Sequence, residues 1–122
     1  MVKLLLVEDE FLLAKLLQTN LELVGYKVCK LVGTGEEAIE QAEKEQPDFV
    51  LMDIRLAGKM NGVEAAREIH KRFQIPIIFM TGYSDEEIKV QAKAIDPLAY
   101  LIKPVTPVHI KSIIDSALEK HG

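Results

Sequence analysis

Short β-prone apolar runs alternate with longer amphipathic stretches five times along this chain, and that rhythm limits the fold more than any other feature. Leu4 to Val7 is an uninterrupted apolar run, as expected of a strand covered on both faces. From about Glu10 the spacing predicts a helix with Leu13, Leu16, Leu17 and Leu21 on one inward stripe, and Gly25 supplies its stop. Tyr26 to Val32 mixes Lys27 and Lys30 into a β-prone run, which suits a less buried edge strand. Thr34 or Gly35 caps a second helix with Ala38, Ile39 and Ala42 inward, and Pro47 closes that region. Phe49 to Met52 is a third strand with Asp53 at its end. A loop from Gly58 to Gly62 leads to a third helix, Val63 to Phe73, with Val63, Ala66, Ile69 and Phe73 inward. Ile77 to Met80 is the fourth strand, and Asp85 to Ala94 a shorter, more polar helix. Asp96-Pro97 marks a turn before a fifth strand, Leu98 to Ile102. The last helix carries the stripe Ile110, Ile113, Ile114, Ala117 and Leu118. Strands alternating with helices in this way read as βα units around a parallel sheet, an α/β fold.

Composition narrows the function. The 122 residues suit one domain, without repeat, low-complexity tract or linker, and a 48% hydrophobic content argues for a packed core. A net charge of −4 leaves no basic footprint for a phosphate backbone, so direct nucleic-acid binding is not expected. Cys29 is the one cysteine, which suits a reducing, cytoplasmic setting. No apolar run approaches a membrane span, and Glu8-Asp9-Glu10 follows the first run too closely for a signal peptide.

The chemistry gathers at strand ends. Glu8 and Asp9 follow the first strand, Asp53 ends the third, Thr81 the fourth and Lys103 the fifth. In a parallel α/β sheet these ends share one edge, where ligand sites form. Each residue alone has a plain structural role. Glu8-Asp9 suits a helix N-terminus, Asp53 a turn, Thr81 a strand, and Lys103-Pro104 a surface turn. Their convergence from four strands selects a site instead. Adjacent carboxylates repel one another and invite a hard divalent cation such as Mg²⁺. A carboxylate can also attack phosphorus, giving an aspartyl phosphate whose oxygens a cation, an ammonium and a hydroxyl would hold. The set reads as an acceptor site for phosphoryl transfer.

These residues lie in a combination of motifs: Leu5-Leu6-Val7-Glu8-Asp9-Glu10, Asp48 through Leu56, Met60-Asn61-Gly62, Met80-Thr81-Gly82 and Tyr100-Leu101-Ile102-Lys103-Pro104. Together they resemble, over essentially the full length, the receiver domain of two-component response regulators of the chemotaxis-regulator type. The resemblance implies a three-layer flavodoxin-like (βα)5 fold with a five-stranded parallel sheet in the order 2-1-3-4-5. It also implies that residues 1–122 form one receiver with no separate effector domain. Asp53 is then the phospho-acceptor, and Glu8, Asp9, Asp53 and the backbone carbonyl of Arg55 the ligands of Mg²⁺ or a similar cation such as Mn²⁺. Asp9 is the more direct ligand and Glu8 acts largely through water. Thr81 and Lys103 move onto the phosphoryl group, and Tyr100 swings inward after Thr81. Arg55 and Tyr83 tune the lifetime of the phosphorylated state, and the Lys103–Pro104 peptide is a cis candidate. The donor would be a sensor histidine kinase or phosphotransfer protein. The target would be a downstream protein or an output domain outside these residues, reached through the surface of the fourth helix, fifth strand and fifth helix. Homodimerisation on phosphorylation through the fourth and fifth helices belongs to the same picture. The chain would be a cytoplasmic phospho-acceptor switch rather than an enzyme.

This sequence departs from the family pattern at three places. Ala57 stands where proline is usual, the Asp53–Gly62 loop is one residue longer than the common form, and Val105 replaces the phenylalanine that commonly follows Lys-Pro. Other readings of the site fit less well. A phosphatase of the haloacid dehalogenase type needs a general-acid aspartate two residues after its nucleophile, where Arg55 stands. A nucleotide- or flavin-binding module needs a Gly-rich loop where Glu8-Asp9-Glu10 stands. A degenerate receiver, used only for binding, would not need the complete set of charged residues.

Overall fold

The computed structural model describes residues 1–82 and 86–121. Its elements alternate as the sequence predicts: β1 (Lys3–Val7), α1 (Phe11–Leu23), β2 (Lys27–Val32), α2 (Gly35–Glu45), β3 (Phe49–Asp53), α3 (Gly62–Phe73), β4 (Ile77–Thr81), α4 (Glu86–Lys93), β5 (Ala99–Ile102) and α5 (Pro107–His121). The five strands form one sheet in the order β2-β1-β3-β4-β5, with every neighbouring pair parallel. This is the flavodoxin-like (βα)5 arrangement.

Period-two alternation explains the three layers, because successive strand residues point to opposite faces. Leu5, Val7, Val50, Met52, Ile77 and Phe79 pack with Ala38 and Ala42 of α2, Val63, Ala66 and Ile69 of α3, and Ala92 of α4. Leu4, Leu6, Phe49, Leu51, Ile78 and Met80 pack on the other face with Ala14 and Leu21 of α1 and Ile110, Ile114 and Ala117 of α5. The central strands β1, β3 and β4 are buried on both sides, which is why their sequences read as continuous apolar runs. β2 lies at an edge, as its lysines suggested.

Helix starts follow local chemistry. The Thr34 hydroxyl accepts from the Glu37 amide at 3.1 Å and caps α2. Asn61 and Glu64 form a reciprocal capping box at α3, each side chain accepting from the other's amide at 2.9 Å.

Two expected stripes are corrected. In α1 the sheet-facing residues are Ala14, Leu17 and Leu21, whereas Leu13 and Leu16 are exposed, Leu16 by 61%. The helix is turned so that small Ala14 meets the sheet, and this leaves a leucine-rich outer face that also includes Phe11 and Leu12. In α5 the stripe ends at Ala117, and Leu118 faces solvent. Boundaries move by a residue elsewhere: β2 starts after Tyr26, β5 after Leu98, α3 takes in Gly62, and α4 ends before Ala94. Asp85, the expected start of α4, lies outside the described residues.

Gly62 illustrates how tightly the β3–α3 junction is packed. A Cβ built there would lie 2.0 Å from the Asp53 carbonyl oxygen, on backbone that cannot swing away. Gly62→Ala is therefore expected to lower the unfolding free energy by about 3 kcal/mol. The shift of the urea midpoint measures it, and an unshifted midpoint would show that the β3–α3 junction yields freely.

Candidate functional site

The parallel register brings the sequence-predicted residues to one sheet edge. Val7 pairs with Met52, Asp53 with Met80, and Thr81 with Ile102, so the next residues of each strand emerge side by side. The Glu8 amide donates to the Val32 carbonyl at 2.9 Å, and the Lys103 amide to the Thr81 carbonyl at 2.7 Å, which extends the ladder to both residues. Glu8, Asp53 and Thr81 are the buried polar residues of the described chain, and Asp9 is exposed beside them. Such burial of charge requires partners.

Lys103 supplies them. Its Nζ donates to Asp53 Oδ2 at 2.8 Å and, closely, to Glu8 Oε1. Burial pulls the Lys103 ammonium down, but the hydrogen bonds and charges of Asp53 and Glu8 outweigh it and hold the group above its ordinary value. The remaining oxygens face backbone: Asp53 Oδ1 accepts from the Arg55 amide and Glu8 Oε2 from the Glu10 amide, each at 3.1 Å. The Lys103–Pro104 peptide is cis, as the sequence allowed.

Carboxylate oxygens of Glu8, Asp9 and Asp53 lie within 4.8 Å of one another. One ammonium against three carboxylates leaves a local excess of two negative charges, and every donor is a hard oxygen. That set fits a divalent cation of the Mg²⁺ kind. Glu8 already spends both oxygens on Lys103 and Glu10, which leaves Asp9 the more available ligand.

A cavity of about 660 Å³ opens beside this cluster, lined by Asp9, Ile54, Arg55, Leu56, Asn61, Thr81 and Ile88. Thr81 therefore borders the same space as Asp9 and Arg55. Tyr100 is half-buried on the α4 face of the sheet, its ring 6.4 Å from that of Phe79. Tyr83 lies outside the described residues. Sequence reasoning did not single out Ile54, Leu56, Asn61 and Ile88 as lining residues. The Asn61-to-Glu64 capping pattern was a signal for Asn61, but Ile88 reaches the cavity only because α4 packs there.

The sequence profile of the response regulator receiver domain matches residues 4–115. This chain belongs to the response regulator receiver family. Receivers of two-component systems signal by phosphorylation, which is the chemistry the edge cluster suits. The receiver is 32% identical over 118 residues to the transcriptional regulatory protein PdtaR of Mycobacterium tuberculosis, covering 97% of this chain and 57% of that protein. It is 33% identical over 119 residues to the alkaline phosphatase synthesis transcriptional regulatory protein PhoP of Bacillus subtilis, covering 97% of this chain and 49% of PhoP. The chain thus spans about half the length of these curated relatives. Among solved structures, the signal receiver domain of a modulated diguanylate cyclase from Desulfovibrio desulfuricans superposes with a TM-score of 0.91 at 39% identity, covering 97% of this chain and 94% of that one. A CheY-like receiver domain protein from Methanospirillum hungatei gives 0.89 at 31% identity, covering 100% and 99%.

Three clustered carboxylates oppose folding when no cation is added. Asp9→Asn removes one of the charges at an exposed position and is expected to stabilise the receiver in EDTA by about 1 kcal/mol. Urea unfolding of both chains measures this, and a variant less stable than wild type would show that Asp9 has a structural role.

Proposed function

We propose that this receiver accepts a phosphoryl group on Asp53 in a Mg²⁺-dependent reaction and thereby switches a protein-binding surface. The observation that carries this reading is the buried Asp53 carboxylate held by Lys103 within a cluster of three carboxylates, beside a cavity bordered by Thr81.

The transfer is a simple displacement at phosphorus. An Asp53 carboxylate oxygen forms the new P–O bond as the P–N bond of a phosphohistidine donor breaks, and the leaving imidazole retains the electron pair and takes a proton from water. The Arg55 amide and Lys103 fix the carboxylate beforehand, so little orientation is lost on attack. Asp9, Asp53, the Arg55 carbonyl and, through water, Glu8 would hold the cation. A bound Mg²⁺ or Mn²⁺ supplies positive charge that offsets the negative charge on the phosphoryl oxygens. Once the group is attached, negative charge moves from the Asp53 carboxylate to the phosphoryl oxygens. Lys103 follows it by a small shift of Nζ, and the Thr81 hydroxyl donates to it.

The consequences reach the α4 side of the sheet. Thr81 ends β4, and Phe79 on the same strand pairs with Tyr100 of β5. Movement of Thr81 makes room for the Tyr100 ring to turn inward, which changes the surface of α4, β5 and α5. That surface exposes Val90, Ile102 and Val108, an apolar set that suits a downstream protein, an output domain or a second phosphorylated copy. Such a switch biases two existing states by the contacts each makes with the phosphoryl group. Arg55, exposed at the cavity, and Tyr83 tune access of water to the aspartyl phosphate.

A sensor histidine kinase or phosphotransfer protein is the donor we favour. The exposed face of α1, with Phe11, Leu12, Leu13 and Leu16, lies next to the acidic pair and can seat a helical partner. The chain acts as a phospho-acceptor switch rather than as a free-standing enzyme, in the cytoplasm. No helix among the described residues is long and apolar enough to cross a membrane.

Acetyl phosphate with Mg²⁺ is expected to add one phosphoryl group, read as intact mass. Asp53→Ala and EDTA should each abolish the adduct. The same adduct on Asp53→Ala would reject Asp53 as acceptor, and no adduct on wild type would favour a degenerate, binding-only receiver.

A further inference from the structure

The β3–α3 loop, residues 54–61, carries part of the cavity wall, and its ends are pinned almost to one point. The Ile54 amide donates to the Met80 carbonyl at 3.1 Å, and the Gly62 amide to the Ile54 carbonyl at 2.8 Å. A loop closed only at its base has a loose tip. Here the tip is fastened elsewhere. Ala57, which replaces the family's usual proline, forms an isolated parallel bridge with Thr34, the N-cap of α2. Gly58, at φ +90°, sits over the first turn of α2, where a Cβ would come within 3.8 Å of both Glu36 carboxylate oxygens.

Met60 completes the attachment. It packs against the core on the α2–α3 side, and its Cγ and Sδ lie 3.0 Å from where a Cβ of Gly35 would stand. Ala65 of α3 closes the same spot at 3.1 Å. Glycine at position 35 therefore lets the Met60 side chain settle between the two helices. The residues between base and tip, Arg55, Leu56 and Asn61, all line the carboxylate cavity, and the Arg55 amide holds Asp53 Oδ1.

We propose that residues 57–60 form a strap clasped by the first turn of α2, and that Gly35 and Met60 are positioning residues for the Arg55-to-Asn61 wall of the phospho-accepting site. The inference rests on the cation-binding reading given above. Met60 is not among the residues that line the cavity, so it acts by restricting the loop that does. The strap also makes α2, with its acidic outer face, mechanically continuous with the site.

The test uses Met60→Ala, Met60→Leu and Gly35→Ala in the full chain, with two measurements. The first is amide hydrogen exchange over residues 55–61 in metal-free protein. The second is Mg²⁺ affinity by titration calorimetry. Met60→Ala should speed exchange at 55–61 and leave β1, β3 and β4 protected as in wild type. It should also weaken Mg²⁺ binding about tenfold, the scale seen when outer supports of a metal site are removed. Met60→Leu should restore both, and Gly35→Ala, which displaces Met60 from the other side, should reproduce both. Wild-type exchange in Met60→Ala, or faster exchange with unchanged Mg²⁺ affinity, would overturn the positioning role. A wild-type chain that binds no Mg²⁺ would overturn the cation reading instead, and the exchange data would then decide the strap alone.

Discussion

An ammonium lodged between two buried carboxylates, at the edge where adjacent strands of a dry sheet end, is the interaction on which the rest of this receiver depends. Glu8 and Asp53 could not both be buried and charged on neighbouring strands without Lys103. The proposed transfer to Asp53 would draw on the same arrangement, because the ammonium already lies beside that carboxylate. Stability and the proposed function draw on one set of groups and conflict at Asp9, which adds a third negative charge to the cluster. Charge repulsion of this kind weakens a metal-free fold, and a cation bound there would relieve it.

The sheet converts this local chemistry into a shared edge. Because all strands run in one direction, they all end at the same edge, and residues on or just beyond the ends of β1, β3 and β5 meet at the carboxylates. Four of the five site residues stand on or directly beyond strands whose hydrogen-bond ladder fixes their height. The β3–α3 loop is the part not held by the ladder, and its fastening to α2 makes up for that. A receiver with a longer loop and no proline at position 57 has an evident need for such a clasp.

Much of this was legible without coordinates. The double-sided burial of β1, β3 and β4 showed in Leu4–Val7, Phe49–Met52 and Ile77–Met80, since apolar runs without alternation suit strands covered on both faces. The site residues showed because charged groups at the ends of such runs have no role in a core. The orientation of α1 did not show. With eight apolar positions in thirteen residues, several stripes around that helix are equally apolar, and periodicity cannot choose among them. Packing chose the stripe with Ala14, because a small side chain allows close approach to the sheet, and Leu13 and Leu16 were left outside.

Sequence alone thus determined the alternation of elements, the parallel sheet and the identity of the charged groups, since these follow from local periodicity and from residues placed at strand ends. Only tertiary structure decided which oxygen of Asp53 faces Lys103, how Glu8 divides its oxygens between Lys103 and the Glu10 amide, and that the Met60 side chain closes against Gly35. The physical reason is distance along the chain. Lys103 and Glu8, or Met60 and Gly35, meet through packing between elements far apart in sequence, and no local preference of either residue encodes the approach.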